Sequence, residues 1–495
     1  MIISQKQTNT FLFCAVVAFL HFIIGIIGIL NHEIWLDEAH HFLLAKDSSG
    51  LIDLYRNAAY DGHPLLWDGL LFLLTRFSAS VFYMQLLNVI IMSATVFLFL
   101  KHAPFKKLIS VLIVFGYFFI YEYHVISRNY AISVLFLTLV FVQLNKPAKN
   151  HLLLSLYLLL LSLTHIYSII VVVALCLILI LQNKNSKLKY LYAGIILITA
   201  LILFSLKVPA DHFLFKFDTD HYLSFKRIGK AFSVYLKGFL PIPDFTVAKI
   251  WNTNLMVSFS KILATVLSFI FALIPFFIFK KEKIALFFFY FSTLAICLFI
   301  YFSPILVATR HCGFIFVILI FAFWLQNILY TGEIVENGSY KTIVLSILVL
   351  HILSGIYLFV TDLQQPFSNA KNVANYLKEN KLEQKEIYLS NLSSGPAISA
   401  YLDKKIIYLE TGEKNSFCKW NTWPFILNKD QLKEKISTVI TNDTCILILN
   451  NSYIKENLGV SMRDILPDFN IISLKQFNTG MVTSEKYQVY ELVKK

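Results

Sequence analysis

Residues Phe11–Leu30 read FLFCAVVAFLHFIIGIIGIL, and residues Ile34–Pro64 shortly after them read IWLDEAHHFLLAKDSSGLIDLYRNAAYDGHP. The first run is long enough to cross a bilayer, because about 20 residues at roughly 1.5 Å each cover about 30 Å of hydrocarbon. Charged groups are expelled from hydrocarbon, so Asp37 and Glu38 must face water or a polar cavity. Together the two segments predict a membrane protein with a candidate active site at the boundary between water and lipid.

Apolar segments of similar length recur along the chain, which is 57% hydrophobic and 15% charged. This composition lies outside the range of a soluble domain. We predict an α-helical polytopic membrane protein with about eleven transmembrane helices, the first of them retained because no small-residue cleavage site follows it. The predicted spans are Phe11–Leu30, Val81–Leu100, Lys107–Tyr121, Tyr130–Leu144, His151–Thr164, Tyr167–Gln182, Tyr190–Lys207, Val257–Phe279, Ile284–Phe302, Gly313–Tyr330 and Thr342–Val360.

Basic residues in short loops indicate the orientation, since such loops lie on the cytoplasmic side. With a cytoplasmic N-terminus, the inner loops contain lysines at positions 101–107, 146–149, 184–189 and 280–283. The short outer loops contain little besides Arg128 and Arg310. One inner loop carries Glu333 and Glu336 and breaks the pattern, but acidic residues contribute little to orientation. The net charge of +13 is therefore assigned to topology and lipid headgroups, and not to nucleic-acid binding.

A small C-terminal α/β soluble domain is predicted for residues 362–495, where long apolar runs stop and helical and strand-like segments alternate. The membrane domain is then 1–361, with the candidate active site in its outer loop 31–80. An odd number of spans puts the tail outside the cytoplasm. Two cysteines of an exported domain, Cys418 and Cys445, are expected to form a disulfide. The domain contains no nucleotide-binding or hydrolase motif, so we assign it no chemistry.

The first outer loop has a helical pattern in its first half. If Trp35–Lys46 is a helix on the membrane surface, Asp37 shares a face with His40 and His41, three and four residues on. That brings one carboxylate and two imidazoles together. Alternatively, Asp37 and Glu38 only favour the N-terminus of an interfacial helix through its dipole, with the histidines on its wet face.

The second half of the same loop, Ser48–Tyr60, has the pattern of another amphipathic interfacial helix. It leads into Asp61-Gly62-His63-Pro64, a turn that returns the chain to the membrane. For Asp61, ordinary turn chemistry is the alternative to a role at the site.

Five short motifs occur in order and on one predicted side of the membrane, namely W-L-D-E-A at 35–39, D-G-H-P at 61–64, S-R-N-Y-A at 127–131, T-H-x-Y-S at 164–168 and A-T-R-H-x-G at 308–313. Together they resemble the polytopic GT-C glycosyltransferases. The likeness is greatest to the glycosyltransferase family 39-like branch, which includes lipid A aminoarabinose transferases and protein mannosyltransferases. The resemblance covers about Phe11 to Phe367.

The resemblance implies transfer of a sugar, with inversion, from a polyprenyl-phosphate donor to a lipid, glycan or protein acceptor at the outer face of the bacterial cytoplasmic membrane. The acidic residue of the family's first outer loop maps onto Asp37, as general base or acceptor-orienting group, and Glu38 lies beside it. Some members use a divalent cation, and Mg, Mn or Zn ligands here would be Asp37 and His41. A carboxylate with a pKa near about 4 is ionised at neutral pH and can take the acceptor proton.

The leaving phosphate needs cationic donors, and Arg128 and Arg310 suit it because a guanidinium binds phosphate through two parallel hydrogen bonds. For both arginines the alternative is that they reach toward lipid headgroups. The other candidate substrate-binding residues are Asp61, His63, Tyr130, His165 and His311. His165 is alternatively a hydrogen-bonded histidine at a helix end. The long outer loop 208–254, basic from Lys216 to Lys237, either caps the donor lipid or rests on headgroups.

Three other classes of protein compete with a glycosyltransferase. A lipid-linked sugar flippase or transporter buries ionisable residues in mid-span, and the sequence offers few besides His21. An O-antigen ligase or polymerase concentrates basic residues and histidines in a large later loop. A non-catalytic scaffold, whose soluble domain binds a partner, has no requirement for Asp37.

Overall fold

The computed structural model describes residues 5–212, 224–247, 249–303, 307–329, 340–421, 426–450, 466 and 468–495. Its helices are α1 (Gln5–Asn31), α2 (Leu36–Asp47), α3 (Leu51–Asn57), α4 (Leu66–Thr75), α5 (Val81–His102), α6 (Lys107–Val114), α7 (Asn129–Leu144), α8 (His151–Ser162), α9 (Ile166–Gln182), α10 (Ser186–Ser205), α11 (Phe225–Phe239), α12 (Leu255–Phe259), α13 (Lys261–Phe279), α14 (Lys283–Phe302), α15 (Thr309–Leu329), α16 (Tyr340–Gln364), α17 (Ala370–Glu379), α18 (Pro396–Leu402) and α19 (Lys429–Val439). The strands are β1 (Ile387–Ser390), β2 (Ile406–Tyr408), β3 (Lys414–Asn415), β4 (Thr444–Asn450), β5 (Phe469–Phe477) and β6 (Tyr487–Lys494).

Each predicted span overlaps at least one helix, which confirms the helical membrane architecture. In the described residues, seven helices are long and apolar enough to cross a bilayer, namely α1, α5, α10, α13, α14, α15 and α16. The helices α7, α8 and α9 are apolar but shorter. The predicted span at Lys107–Tyr121 is divided between α6 and a π-helical turn at Phe118–Glu122. Glu333 and Glu336 lie outside the described residues.

Irregular backbone between this π-helical turn and α7 lies buried at the end of the bundle. Asn88 of α5 donates to the carbonyls of Tyr123 at 3.1 Å and of His124 at 2.9 Å. The Glu38 carboxylate accepts from the Ser127 amide at 2.7 Å. Buried backbone groups must find hydrogen-bond partners, so these side chains allow a non-helical segment to place Arg128 at the end of the bundle.

The first outer loop folds as predicted, with α2, α3 and a turn at Asp61–Pro64, and continues into the short helix α4. The expectation that α2 rests on the membrane surface is wrong. Residues 38–45 of α2 are buried, because the helix packs between α4 and α18 of the C-terminal region. His40 and His41 are each only 4% exposed, so they do not form a wet face.

The long outer loop predicted for 208–254 contains a helix, α11, that packs against α13, α14 and α15. Its apolar face, including Val234 and Tyr235, is buried. The ammonium groups of Lys230 and Lys237 donate to the carbonyls of Ser303 at 3.0 Å and of Val307 at 3.1 Å. Four basic residues of α11 interrupt its apolar run, so hydropathy along the sequence does not predict the buried face. Lys216 lies outside the described residues.

The C-terminal region folds as a six-stranded mixed sheet in the order β3-β2-β1-β4-β6-β5, which confirms the α/β prediction. Strands β2, β1 and β4 are parallel, whereas β3, β6 and β5 join in antiparallel pairs. Side chains alternate along β4, so Ile446 and Ile448 face the core shared with α17, α18 and the membrane bundle. Leu447 and Leu449 face the second core under α19.

The expected disulfide between Cys418 and Cys445 is wrong, since both thiols are free and buried. Cys445 faces the core under α19, whereas Cys418 packs in the core on the other face of the sheet. The Cys418 thiol instead donates to the Leu392 carbonyl. Two cysteines on opposite faces of a sheet cannot approach within the roughly 4 Å between Cβ atoms that a disulfide requires.

Candidate active site

Three separate segments bring charged side chains together at the end of the bundle that faces the sheet. Asp37 lies in the first turn of α2, Arg128 precedes α7, and Arg310 lies in the first turn of α15. Arg310 Nη2 is 2.9 Å from Asp37 Oδ2, and Arg128 Nη1 forms an ion pair with the same oxygen. Both guanidinium groups therefore contact Asp37 instead of reaching toward lipid headgroups.

The charge of Asp37 is fixed by its two partners. Burial by itself raises the pKa of this carboxyl, but the Arg128 and Arg310 guanidinium groups lower the pKa further than burial raises it. The net result is a pKa well below the usual range. Asp37 is therefore ionised at every physiological pH in this arrangement.

The two guanidinium groups keep unused hydrogen-bond donors. The Nε atoms of Arg128 and Arg310 are buried, and among the described residues they have no acceptor. The Arg310 guanidinium also lies over the indole rings of Trp35, at 5.2 Å, and Trp251, at 5.8 Å. Buried donors without a partner are costly, and a guanidinium matches the oxygens of phosphate. The pair is therefore suited to bind an anion beside Asp37.

Glu38 is completely buried. One of its oxygens accepts from the Ser127 amide, and the other accepts from His32 Nε2 at 3.1 Å and from the Trp35 amide at 3.3 Å. Glu38 therefore ties α2 to the segment that carries Arg128. With both oxygens bound within the protein, Glu38 is better suited to a positioning role than to the predicted catalytic one.

A row of aromatic rings continues from the arginines. The His63 ring stacks on His165 at 5.4 Å between centroids, and His165 lies 4.7 Å from the Tyr130 ring. His165 also caps α9, since its Nδ1 accepts from the Tyr167 amide at 3.1 Å, as its alternative interpretation predicted. His311 lies on the far side of Tyr167, at 6.2 Å between the rings. Burial, followed by the charge of Arg128, lowers the pKa of His63 to about 4, so this ring is neutral.

Two buried histidine–carboxylate pairs also involve α2. His40 Nε2 is 2.9 Å from Asp61 Oδ1, and His41 Nδ1 is 2.7 Å from Asp68 Oδ1. Burial opposes a charged imidazole, but the Asp61 carboxylate outweighs burial and raises the pKa of His40. The predicted proximity of Asp37 to His40 and His41 holds, although both imidazoles point toward other carboxylates.

The candidate metal ligands Asp37 and His41 do not fit a cation. Asp37 already contacts two guanidinium groups, which repel a metal ion, and His41 is bound to Asp68. In the described part of the chain, no three histidine, cysteine, aspartate or glutamate side chains are placed to hold a metal ion. We derive no step through a metal.

Several residues of the site were missed in the sequence. Asp68 lies one helical turn after the Asp61–Pro64 turn, and Trp251 lies in the loop predicted to be irregular. Trp420 of the C-terminal region donates its indole N–H to Asp61 Oδ1 at 3.3 Å, across 359 positions of sequence. Only Asp68 had a usable signal, because a carboxylate in the first turn of an apolar helix requires a buried partner.

Ionisable side chains inside the bundle are also more numerous than the sequence suggested. Besides His21, the bundle buries Glu122, His124 and His351. Glu122 accepts from Tyr117 and Trp251, and His21 and His351 each contact a backbone carbonyl.

Comparisons with known proteins identify the fold. No family model matches the chain, and no curated protein matches it. Among solved structures, the chain is similar to the crystal structure of ArnT from Cupriavidus metallidurans bound to undecaprenyl phosphate. The TM-score is 0.50 at 9% sequence identity, and the likeness covers 97% of both chains. With its apolar helices, the chain is therefore an integral membrane protein of GT-C-like fold.

Proposed function

We propose that this protein is a membrane glycosyltransferase that moves a sugar from a polyprenyl-phosphate donor to an acceptor of the cell envelope. The observation that carries the proposal is the contact of Asp37 with two arginines, Arg128 and Arg310, whose buried Nε atoms have no acceptor among the described residues. This arrangement combines a candidate base with a candidate phosphate site. The shared fold with ArnT, whose structure contains undecaprenyl phosphate, supports a polyprenyl lipid as the donor.

The arginines bind the donor phosphate in this proposal. As the bond between the anomeric carbon and the phosphate oxygen breaks, its electron pair passes to the phosphate. Arg128 and Arg310 stabilise the charge that develops there, and they do so in a site shielded from water, where such stabilisation is strongest. The rings of His63, His165 and Tyr130 line the adjoining wall.

Asp37 takes the proton of the acceptor hydroxyl as the new bond forms on the opposite face of the anomeric carbon, which inverts its configuration. In the absence of donor, both arginines neutralise Asp37 and make it a weak base. A donor phosphate that engages the same guanidinium groups weakens this hold, and Asp37 becomes more basic when the substrate is present. The protonated carboxyl then returns its proton to water.

The lysine content of the loops supports the proposed orientation of the protein in the membrane. Asp37, Arg128 and Arg310 lie at one end of the helices, and the lysine-rich connections around residues 101–107 and 280–283 lie at the other. Short lysine-rich loops remain in the cytoplasm. We therefore infer that the site and the C-terminal region lie at the extracytoplasmic face of the cytoplasmic membrane, with the N-terminus inside.

The proposal is tested by mass spectrometry of envelope glycolipids, glycans and glycoproteins from a deletion strain. We expect the deletion to remove a sugar modification that the wild-type gene restores and Asp37→Asn does not. Asp53→Asn is the matched control, because Asp53 lies in α3 and contacts only Ser49 and nearby charges. Restoration by Asp37→Asn removes the catalytic assignment, and an unchanged envelope in the deletion strain removes the proposed function.

A further inference from the structure

The C-terminal region contributes side chains to the candidate site. After β3 the chain passes over α2, and the ring centroids of Phe417 and Trp420 lie 6.1 and 6.0 Å from that of His40. The Trp420 indole N–H donates to Asp61 Oδ1. The His40–Asp61 pair is therefore enclosed between the outer loop of the membrane bundle and the edge of the sheet.

This pair has hydrogen-bonding capacity left over. His40 Nε2 and Asp61 Oδ1 satisfy each other, but His40 Nδ1 and Asp61 Oδ2 are buried with no partner among the described residues. The two side chains are only 5% and 7% exposed. Buried polar atoms without partners are rare in native proteins and call for an explanation, such as a ligand.

The chemistry of the pair selects the ligand. Asp61 Oδ2 accepts, and His40 Nδ1 donates when the imidazole is protonated, in which case the charges of imidazolium and carboxylate cancel. A hydroxyl both donates and accepts, so it can satisfy both atoms. An anion would be repelled by the Asp61 carboxylate, and a cation would be repelled by the protonated His40 ring. Beside them, an aromatic ring offers an apolar face that can cover the C–H groups of a ring. Adjacent hydroxyls on a sugar meet all three requirements.

We propose that His40, Asp61 and Trp420 form a subsite for the hydroxyl groups of a sugar ring, with the C-terminal region as one wall. This inference rests on the proposed function and names the part of the substrate that each region binds. The subsite is continuous with the arginines through neighbouring rings, from His40 to His41 at 5.6 Å, to His63 at 6.4 Å and to His165 at 5.4 Å. The sugar belongs either to the donor or to the acceptor.

Binding to the purified full-length chain in detergent distinguishes these sources. The probes are undecaprenyl phosphate and undecaprenyl phosphate linked to glucose, mannose or galactose. If the donor sugar occupies the subsite, wild type binds a sugar-linked lipid more tightly than the bare lipid, and Trp420→Phe reduces this gain about tenfold because the indole N–H no longer holds the Asp61 carboxylate in place for the sugar hydroxyl. Binding of the bare lipid stays unchanged.

If the acceptor sugar occupies the subsite, Trp420→Phe leaves donor binding unchanged. It then raises the KM for an envelope glycolipid extract about tenfold, while kcat is retained. The matched control is Asp403→Asn, which removes an exposed ion pair with Lys46 across the same interface and lies outside the subsite. A loss of the same size in Asp403→Asn would mean that the interface, and not the subsite, is responsible.

The proposal is overturned if wild type transfers sugar while Trp420→Phe and Trp420→Ala match it in donor affinity and in acceptor KM. The proposed glycosyltransferase function stands in that case. A wild-type protein that neither binds these lipids nor transfers sugar overturns the proposed function, and the subsite with it.

Discussion

Two neighbouring regions of the site around α2 hold carboxylates in different ways. In the arginine region, Asp37 is shared by Arg128 and Arg310. In the histidine region, Asp61 and Asp68 each pair with one imidazole. Arginine stays protonated at any biological pH, whereas histidine titrates close to neutrality. The first region is therefore a permanent charge cluster suited to phosphate, whereas in the second the His40–Asp61 pair, with its raised imidazole pKa, is suited to neutral hydroxyls.

The largest effect is expected from Asp37→Asn. Loss of the proposed base should lower the transfer rate on the order of a hundredfold or more, since proton removal by a positioned side chain is worth roughly 10² to 10⁴. Binding of undecaprenyl phosphate should be retained or tightened, because the arginines lose a competing carboxylate. Transfer assays and lipid titration on the same preparation measure both effects.

Asp53→Asn is the control for this variant, and Asp61→Asn is the comparison within the histidine region. Near-wild-type transfer by Asp37→Asn would contradict the division of roles. Complete dependence on Asp61 with none on Asp37 would move the chemistry to the histidine region.

The next effect concerns the arginines themselves. Arg128→Ala or Arg310→Ala should weaken binding of undecaprenyl phosphate about tenfold to a hundredfold, the size expected for lost hydrogen bonds to a charged group. Arg→Lys should restore only part of the affinity, because an ammonium cannot form the paired contact of a guanidinium. Affinity is measured by titration in detergent.

Arg56→Ala, which changes an exposed arginine of α3, is the control for these variants. Unchanged lipid affinity in both alanine variants would mean that the arginines serve only to hold Asp37.

The membrane architecture could be predicted from the sequence because the hydrocarbon core of the bilayer imposes one strong rule. A segment that crosses the membrane must be long, apolar and helical, so hydropathy alone located the spans. Helix α11 was not predicted, because its charges interrupt the apolar run, although its buried face packs into the bundle. The prediction of a disulfide was wrong because the sequence positions of two cysteines do not show which face of a sheet each one occupies.

The site was readable only in part. Asp37, Arg128 and Arg310 were selected because each charge stands at the end of an apolar segment on the same predicted side, and the structure brings them together. The buried role of Glu38 was not readable, since its partners lie in another segment. Trp420 gave no signal, because its contact with Asp61 depends on how two regions dock. Long-range contacts of this kind leave no local period in a sequence.

A smaller effect should reveal the titratable character of the histidine region. The pKa of His40 is raised in the folded protein above its ordinary value near about 6.5. Stabilisation by this pair is therefore fully present below about pH 6.5 and is lost as the pH rises through the raised pKa. Asp61 has a lowered pKa and stays ionised over that range.

Asp61→Asn should accordingly lower the free energy of unfolding by about 2 kcal/mol at pH 6 and by less at pH 9. Thermal unfolding of both proteins across this range measures the difference. A difference that does not change with pH would show that the pair acts as a neutral hydrogen bond, which would weaken the contrast with the arginine region.

The smallest effect is expected from Asp403→Asn, at the solvent-exposed edge of the contact between α2 and the C-terminal region. Lys46 and Asp403 form an ion pair, but the Asp403 side chain is 63% exposed, so solvent and salt screen the attraction. Asp403 also has a left-handed backbone with φ of 54°, which asparagine tolerates well, so Asp403→Asn adds no backbone strain. We expect the free energy of unfolding to change by less than about 1 kcal/mol, with lipid binding unaltered. A larger loss, measured by thermal unfolding beside Asp61→Asn, would show that docking of the C-terminal region depends on its exposed rim. The histidine region would then owe its stability to that docking and not to its own buried pairs.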